Sequence, residues 1–202
     1  MKDHEPDHTQ EILEIRSMME HSTKFVWISG WAGIIAGLFA LTGAYIAYAV
    51  LEYNPNAIHY QPPKGIQPVL VLGLIIFILA ALSATLLAYN QARYSHEKLW
   101  NATSKRLLLN MTVPLIAGGI LIFIAIAKNM AGLITSLSLL FYGLALHNAS
   151  KYTYEEIRIM GLVQILLGLA AAWFIPYALL IWTMGFGAVH IIYGVYIQCR
   201  YK

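Results

Sequence analysis

Residues 68–89 read PVLVLGLIIFILAALSATLLAY, an uncharged run of apolar residues. About twenty such residues cross the roughly 30 Å hydrocarbon core of a bilayer at about 1.5 Å rise per residue. A soluble helix of this length would carry a polar face; this one has none, so its natural solvent is lipid. Working outward from it, five further runs of the same kind appear, and the six candidate spans are Phe25–Leu51, Pro68–Tyr89, Leu107–Ala127, Met130–His147, Ile157–Ile175 and Tyr177–Cys199. The fourth is expected to be the weakest, being short and interrupted by Thr135, Ser136 and Ser138. The composition agrees: 59% of residues are hydrophobic and 11% charged, against about a quarter charged in soluble domains.

The basic residues predict the orientation. Lys2, Arg16 and Lys24 precede the first span, Arg93, Lys98, Lys105 and Arg106 follow the second, Lys151 and Arg158 follow the fourth, and Arg200 and Lys202 follow the sixth. Only Lys64 and Lys128 fall on the opposite side. Lys and Arg accumulate in cytoplasmic loops, so both termini are expected in the cytoplasm, in a bacterial-type inner membrane. Residues 1–24 contain no apolar signal-peptide core, which leaves the first span as the expected insertion signal. The fold class is therefore an all-α integral membrane protein, a six-helix bundle over residues 25–202 behind a cytoplasmic segment 1–24.

Within that segment, Ile12, Ile15 and Met19 share one stripe, with Glu11, Glu14, Arg16 and Glu20 elsewhere. The spacing predicts an amphipathic helix from Thr9, lying on the bundle or inner leaflet, or docking a protein partner. Its acidity argues against adhesion to anionic lipid. The loop Glu52–Gln67 holds Pro55, Pro62 and Pro63, with Pro68 just beyond it, and reads as an extended connector. Its Tyr53, Tyr60 and His59 are expected at the membrane interface, as are Tyr45 and Tyr48. Asn90–Arg106 is expected to prolong the helices beyond the bilayer.

The second half repeats. PLIAGGILIFIAIAKNMAGLITSLSLLFYGLALHNASKY aligns with VQILLGLAAAWFIPYALLIWTMGFGAVHIIYGVYIQCRYK, Gly118 matching Gly168 at an offset of fifty and Tyr142-Gly143 matching Tyr193-Gly194 at fifty-one. Units of two spans share one orientation, so the repeat is parallel. The first hairpin, opening GWAGIIAGLFALTG, is a candidate third copy. The series Gly161, Gly168, Pro176, Gly185 and Gly194 resembles the two-helix repeat of HdeD-like bacterial membrane proteins, over roughly Pro114–Tyr201. Pro176 has no counterpart in the earlier turn, where Lys128-Asn129 stand. The resemblance implies a six-span bundle of three hairpins, associated with acid tolerance. It supplies no catalytic residue, that family having no established biochemical activity.

Candidate sites are few. His190 lies near the middle of the sixth span, where an ionisable group must face the bundle interior or water. It reads either as a proton-accepting or ligand-contacting group or as a neutral His hydrogen-bonded between helices. Gly187, Phe186, Tyr193 and Gly194 are expected on its face, with Thr183 continuing a polar line. Gln164 needs an interhelical partner, and Thr135, Ser136 and Ser138 line a candidate cavity or bond to their own helix. These residues make up a candidate polar path. Pro114 is expected to kink the third span. Gly30, Gly33, Gly37, Gly187 and Gly194 read as helix-packing positions, within one bundle or in a homo-oligomer. No HExxH, no paired intramembrane aspartates and no phosphate-binding glycine loop occur, so no enzyme, cofactor or metal site is expected. One haem between His147 and His190 is disfavoured by their different depths. Cys199 is the single cysteine. The formal charge of +3 resides in the basic loops and gives no reason to expect nucleic acid; lipid is the expected surrounding. The reading that follows is a non-catalytic membrane protein acting through helix contacts (stress-associated, sensory or scaffolding), with a small transporter or channel as the alternative.

Overall fold

The computed structural model describes residues 30–94, 100 and 102–200. The expected amphipathic helix from Thr9, the start of the first span and most of the second-to-third connection lie outside these residues. Every regular element among them is helical, and six helices are long and apolar enough to cross a membrane. They are α1 (Gly30–Ala49), α2 (Gln67–Tyr94), α3 (Ala102–Ala127), α4 (Ile134–Ala149), α5 (Glu155–Trp173) and a composite sixth span. The sixth runs as a 3-10 turn Ile175–Tyr177, α6 (Ala178–Trp182), a π-helical segment Thr183–Val189 and α7 (His190–Arg200).

The fourth span is not the short element the sequence predicts. With a 3-10 turn at each end it covers Ala131–Tyr152, 22 residues of continuous helix. Its hydroxyls do not interrupt it, because Ser136 Oγ donates to the Leu133 carbonyl and Ser138 Oγ to that of Thr135, each at 2.8 Å. Such back-bonding hides a polar group from lipid without another chain. Thr42, Thr85 and Thr112 do the same on α1, α2 and α3. Pro114 lies inside α3, which is helical from Ala102 to Ala127. The helical continuation at the basic end is present as far as Tyr94 in α2 and from Ala102 in α3.

The helices do not follow chain order in space. α4 packs on α5 and α3, α5 on α6, and α1 on α2, α7 and the π segment. The resulting sequence of neighbours is α2, α1, sixth span, α5, α4, α3. At one end of this arrangement lie the loop after α1 and the turns after α3 and α5, with Lys64 and Lys128; the other described basic residues lie toward the opposite end. Apolar side chains form two small cores along the length. Leu139, Ala171 and Ala178 pack with Leu167, Ile181, Trp182 and Phe186 toward the turn end. Leu146, Ile157, Met160 and Ile197 pack with Met111, Tyr142 and Val189 toward the basic end. α2 and α3, by contrast, keep most of their large apolar side chains exposed, a surface compatible with lipid.

The loop after α1 departs most from expectation. Tyr53 is no interfacial anchor: it is 1% exposed, with its hydroxyl donating to the Ala131 carbonyl at 3.0 Å. Tyr60 stands edge-on to it and donates to the Glu52 carbonyl at 2.9 Å, while accepting the Asn54 N–H. Gly132 N–H donates to the Ile58 carbonyl at 3.1 Å, and His59 Nδ1 lies 3.2 Å from the Asn129 carbonyl. A Cβ on Gly132 would collide with the Ala57 carbonyl. The loop is thus a cap tying α1 to the α3–α4 turn, and Lys64 closes it through Glu52 at 3.0 Å and the Val50 carbonyl. The reason is that a non-helical loop leaves backbone groups open, and the turn at Asn129–Gly132 presents complementary ones. Burial pushes the Tyr53 hydroxyl above the usual tyrosine range. Tyr45 and Tyr48 stay exposed on α1.

Candidate functional site

Between the two apolar cores lies a polar cluster that joins three spans. Its centre is the carbonyl of Gly185, in the π segment. Gln164 Nε2, from α5, donates to it at 2.7 Å, and His190 Nδ1 lies 3.0 Å from it. A carbonyl can only accept, so Nδ1 carries the proton, and in the neutral ring Nε2 is an acceptor. That acceptor meets the Tyr142 hydroxyl of α4 at 2.9 Å. Gln164 is fully buried and His190 is 6% exposed. Gln164 Oε1 and Thr135 Oγ1 are the buried acceptors of this region that have no hydrogen-bond partner.

Aromatic rings extend the cluster toward the turn end. The His190 ring stacks on Phe186 at 5.6 Å and on Tyr142 at 5.4 Å, and Phe186 leans on Trp182 at 4.9 Å. The Trp182 indole N–H then donates to Ser138 Oγ at 3.0 Å, linking the sixth span to α4 a second time.

The polar path predicted from sequence therefore divides. His190 and Gln164 are brought together. Ser138 joins the cluster only through the aromatic rings. Thr183 Oγ1 donates to the Leu179 carbonyl of its own helix at 2.8 Å, as Ser136 does to Leu133, and Thr135 has no bond to the cluster. Sequence reasoning missed Tyr142 as a site residue, Gly185 as the shared acceptor and Trp182 as a donor. The glycine density of TMGFGAV, Thr183–Val189, was the one available signal for the π segment. The face expected for His190 divides: Phe186 stacks on the ring as expected, while Gly187 and Gly194 do not share it. The His190 ring turns to α4 and α5, whereas Gly187 and Gly194 turn to α1.

Glycines bring the sixth span and α1 into close backbone contact. A Cβ on Gly194 would stand 2.6 Å from the Gly30 carbonyl oxygen and 2.7 Å from Ile34 N; one on Gly37 would stand 2.8 Å from the Gly187 oxygen. One on Gly33 would lie 3.0 Å from the His190 carbonyl oxygen. A second seam joins α4 to α5: a Cβ on Gly143 would meet the Gly161 oxygen and Ile165 N, both at 2.7 Å, and one on Gly168 would meet Leu140 N at 2.7 Å. The two seams correspond residue for residue. Gly30, Ile34 and Gly37 of α1 stand 131 positions before Gly161, Ile165 and Gly168, and Leu140, Gly143 and His147 stand 51 before Ile191, Gly194 and Gln198. Glycine at these places lets backbones touch, the packing by which membrane-compatible helices can associate.

At the basic end Glu156 meets Arg200 at 3.1 Å, and Arg200 also donates to the Tyr196 hydroxyl. Among the described residues no three His, Cys, Asp or Glu side chains lie close enough together to hold a metal ion. Comparison with protein-family models, with curated proteins and with solved structures gives no match to this chain.

Proposed function

We propose that this chain is a non-catalytic, multi-pass membrane protein that acts through helix contacts, as a stress-associated, sensory or scaffolding component. The observation that carries the reading is how the intramembrane polar groups are used. Ser136 and Thr183 bond to their own helices, Tyr142 bonds to His190, and Gln164 and His190 both bond to Gly185. A transport path needs such groups turned toward a common wet space; here they serve as ties between helices. The basic loops favour a bacterial-type inner membrane with both termini cytoplasmic, and the likeness of residues 114–201 to HdeD-like repeats agrees with a role in stress. A protein partner would dock on the N-terminal segment.

A small proton pathway through His190 is the second reading, favoured by the unpartnered Gln164 Oε1 beside it. Proton flux into proteoliposomes under an imposed pH gradient separates the two. Leak-level flux for both the wild type and His190→Ala supports the contact reading. Flux that His190→Ala abolishes replaces it with the transport reading.

A further inference from the structure

We propose that the π segment Thr183–Val189 is a coupling element: Gln164 and His190 hold it in its π form through the Gly185 carbonyl, and that form sets the register of α7 on α1. The inference stands whether the helix contacts serve one copy or a partner, so it goes beyond the function proposed above.

A π turn closes i→i+5 hydrogen bonds and so takes up an extra residue relative to α-helix; such turns are rare and usually short bulges. This one separates two anchored halves. On the turn side, α6 is fixed to α4 by Trp182 and Ser138. On the basic side, α7 is fixed to α1 by its glycine seam and to α5 by Arg200 and Glu156. The twin seam on α4 needs no such device, since the corresponding stretch of α4 passes from a 3-10 turn straight into α-helix.

The π form has a local cause. Its widened turn opens a carbonyl to side-chain donors, and in hydrocarbon a carbonyl so opened is costly unless donors reach it. Gly185 receives one from each side, Gln164 and His190. Space there is tight: a Cβ would lie 2.5 Å from Leu139 Cδ2 and 2.7 Å from Gln164 Oε1, so a larger residue would displace the ends of both side chains.

The consequence reaches the basic end. If the segment relaxes to α-helix with α6 fixed, α7 turns by about 100° and advances about 1.5 Å, the increment of one α-helical residue. That rotation carries Gly194 away from Gly30 and brings up a residue with a side chain, where even one Cβ does not fit. The α1–α7 seam and the Gln164–His190 clamp must therefore change together, although Gln164 belongs to α5.

The test uses the native Cys199, which is exposed, and Trp31→Cys, at a position 53% exposed beside Gly30. Nitroxide labels at the two sites, in phospholipid nanodiscs, report proximity by dipolar broadening. The labelled parent shows broadening, and adding Gln164→Leu abolishes it. Deleting Met184, whose side chain is exposed, removes the extra residue; in the Gln164→Leu background this restores the broadening, because α-helix alone then supplies the register. Broadening that survives Gln164→Leu overturns the proposal. So does a loss that the deletion fails to restore, since that loss would be general loosening of the bundle.

Discussion

The seams α1–α7 and α4–α5 are one contact made twice, on different supports. Both set a glycine of one helix against the backbone of another, with matching spacing on all four helices. Yet α4 is a plain α-helix from Ile134 to Ala149, while α7 is reached through a π segment fastened by Gln164 of α5 and by its own His190. The difference teaches that a close-packed seam constrains one helix face only. Where the same span must also direct His190 to a third helix, its register has to be corrected on the way.

The largest effects should come from the seams themselves. Gly143→Ala and Gly194→Ala each force a Cβ to within 2.7 Å of backbone atoms, and overpacking of this kind costs about 1–3 kcal/mol. The two losses should be similar, and additive in the double variant, as read by thermal or steric-trapping unfolding in bilayer discs. A loss confined to one of them would break the equivalence.

Next comes the clamp that distinguishes the seams. Tyr142→Phe keeps the ring stack but removes the hydroxyl that His190 Nε2 accepts. About 1 kcal/mol of stability should go, with a changed His190 ring-nitrogen shift by solid-state NMR. An unaltered shift would mean that the Tyr142–His190 bond does not form in the bilayer.

The outer cap should respond to alkali. The Tyr53 hydroxyl is raised above its unfolded value, so its neutral form is the one the fold favours. The stability it adds is complete below the unfolded pKa of about 10 and erodes as pH rises beyond it. Hydrogen exchange at Asn129–Gly132 should therefore speed up above that pH in the wild type and much less in Tyr53→Phe. Equal acceleration in both would place the alkaline sensitivity elsewhere.

The smallest effect sharpens the comparison from the other side. Gly73 on α2 and Gly119 on α3 have nothing within 4 Å of where a Cβ would stand. Gly73→Ala and Gly119→Ala should stay within about 0.5 kcal/mol of the wild type, or gain slightly from helix propensity. A large loss at either would reveal a neighbour pressed against that face in the bilayer.

Residue chemistry alone determined the number of long apolar helices, since an uncharged run such as Val69–Ala88 has the length and composition to cross a membrane. The small-residue spacing Gly30, Gly33, Gly37 was legible for the same local reason. His190 and Gln164 stood out because polar side chains are expensive in lipid, though no local rule named their partners. Tyr142 comes from another helix and reads, in sequence, as one more aromatic in an apolar span. Helical spacing put Phe186 on the His190 face correctly, but spacing alone did not show that Gly187 and Gly194 turn to α1 while the ring turns to α4 and α5. Tyr53 looked like an interfacial tyrosine until a distant turn offered it the Ala131 carbonyl. Tertiary structure decided which helices meet, which face each polar group takes and what the loop covers, because those depend on which backbone atoms lie within about 3 Å across the bundle. The sequence order of the chain does not encode that distance.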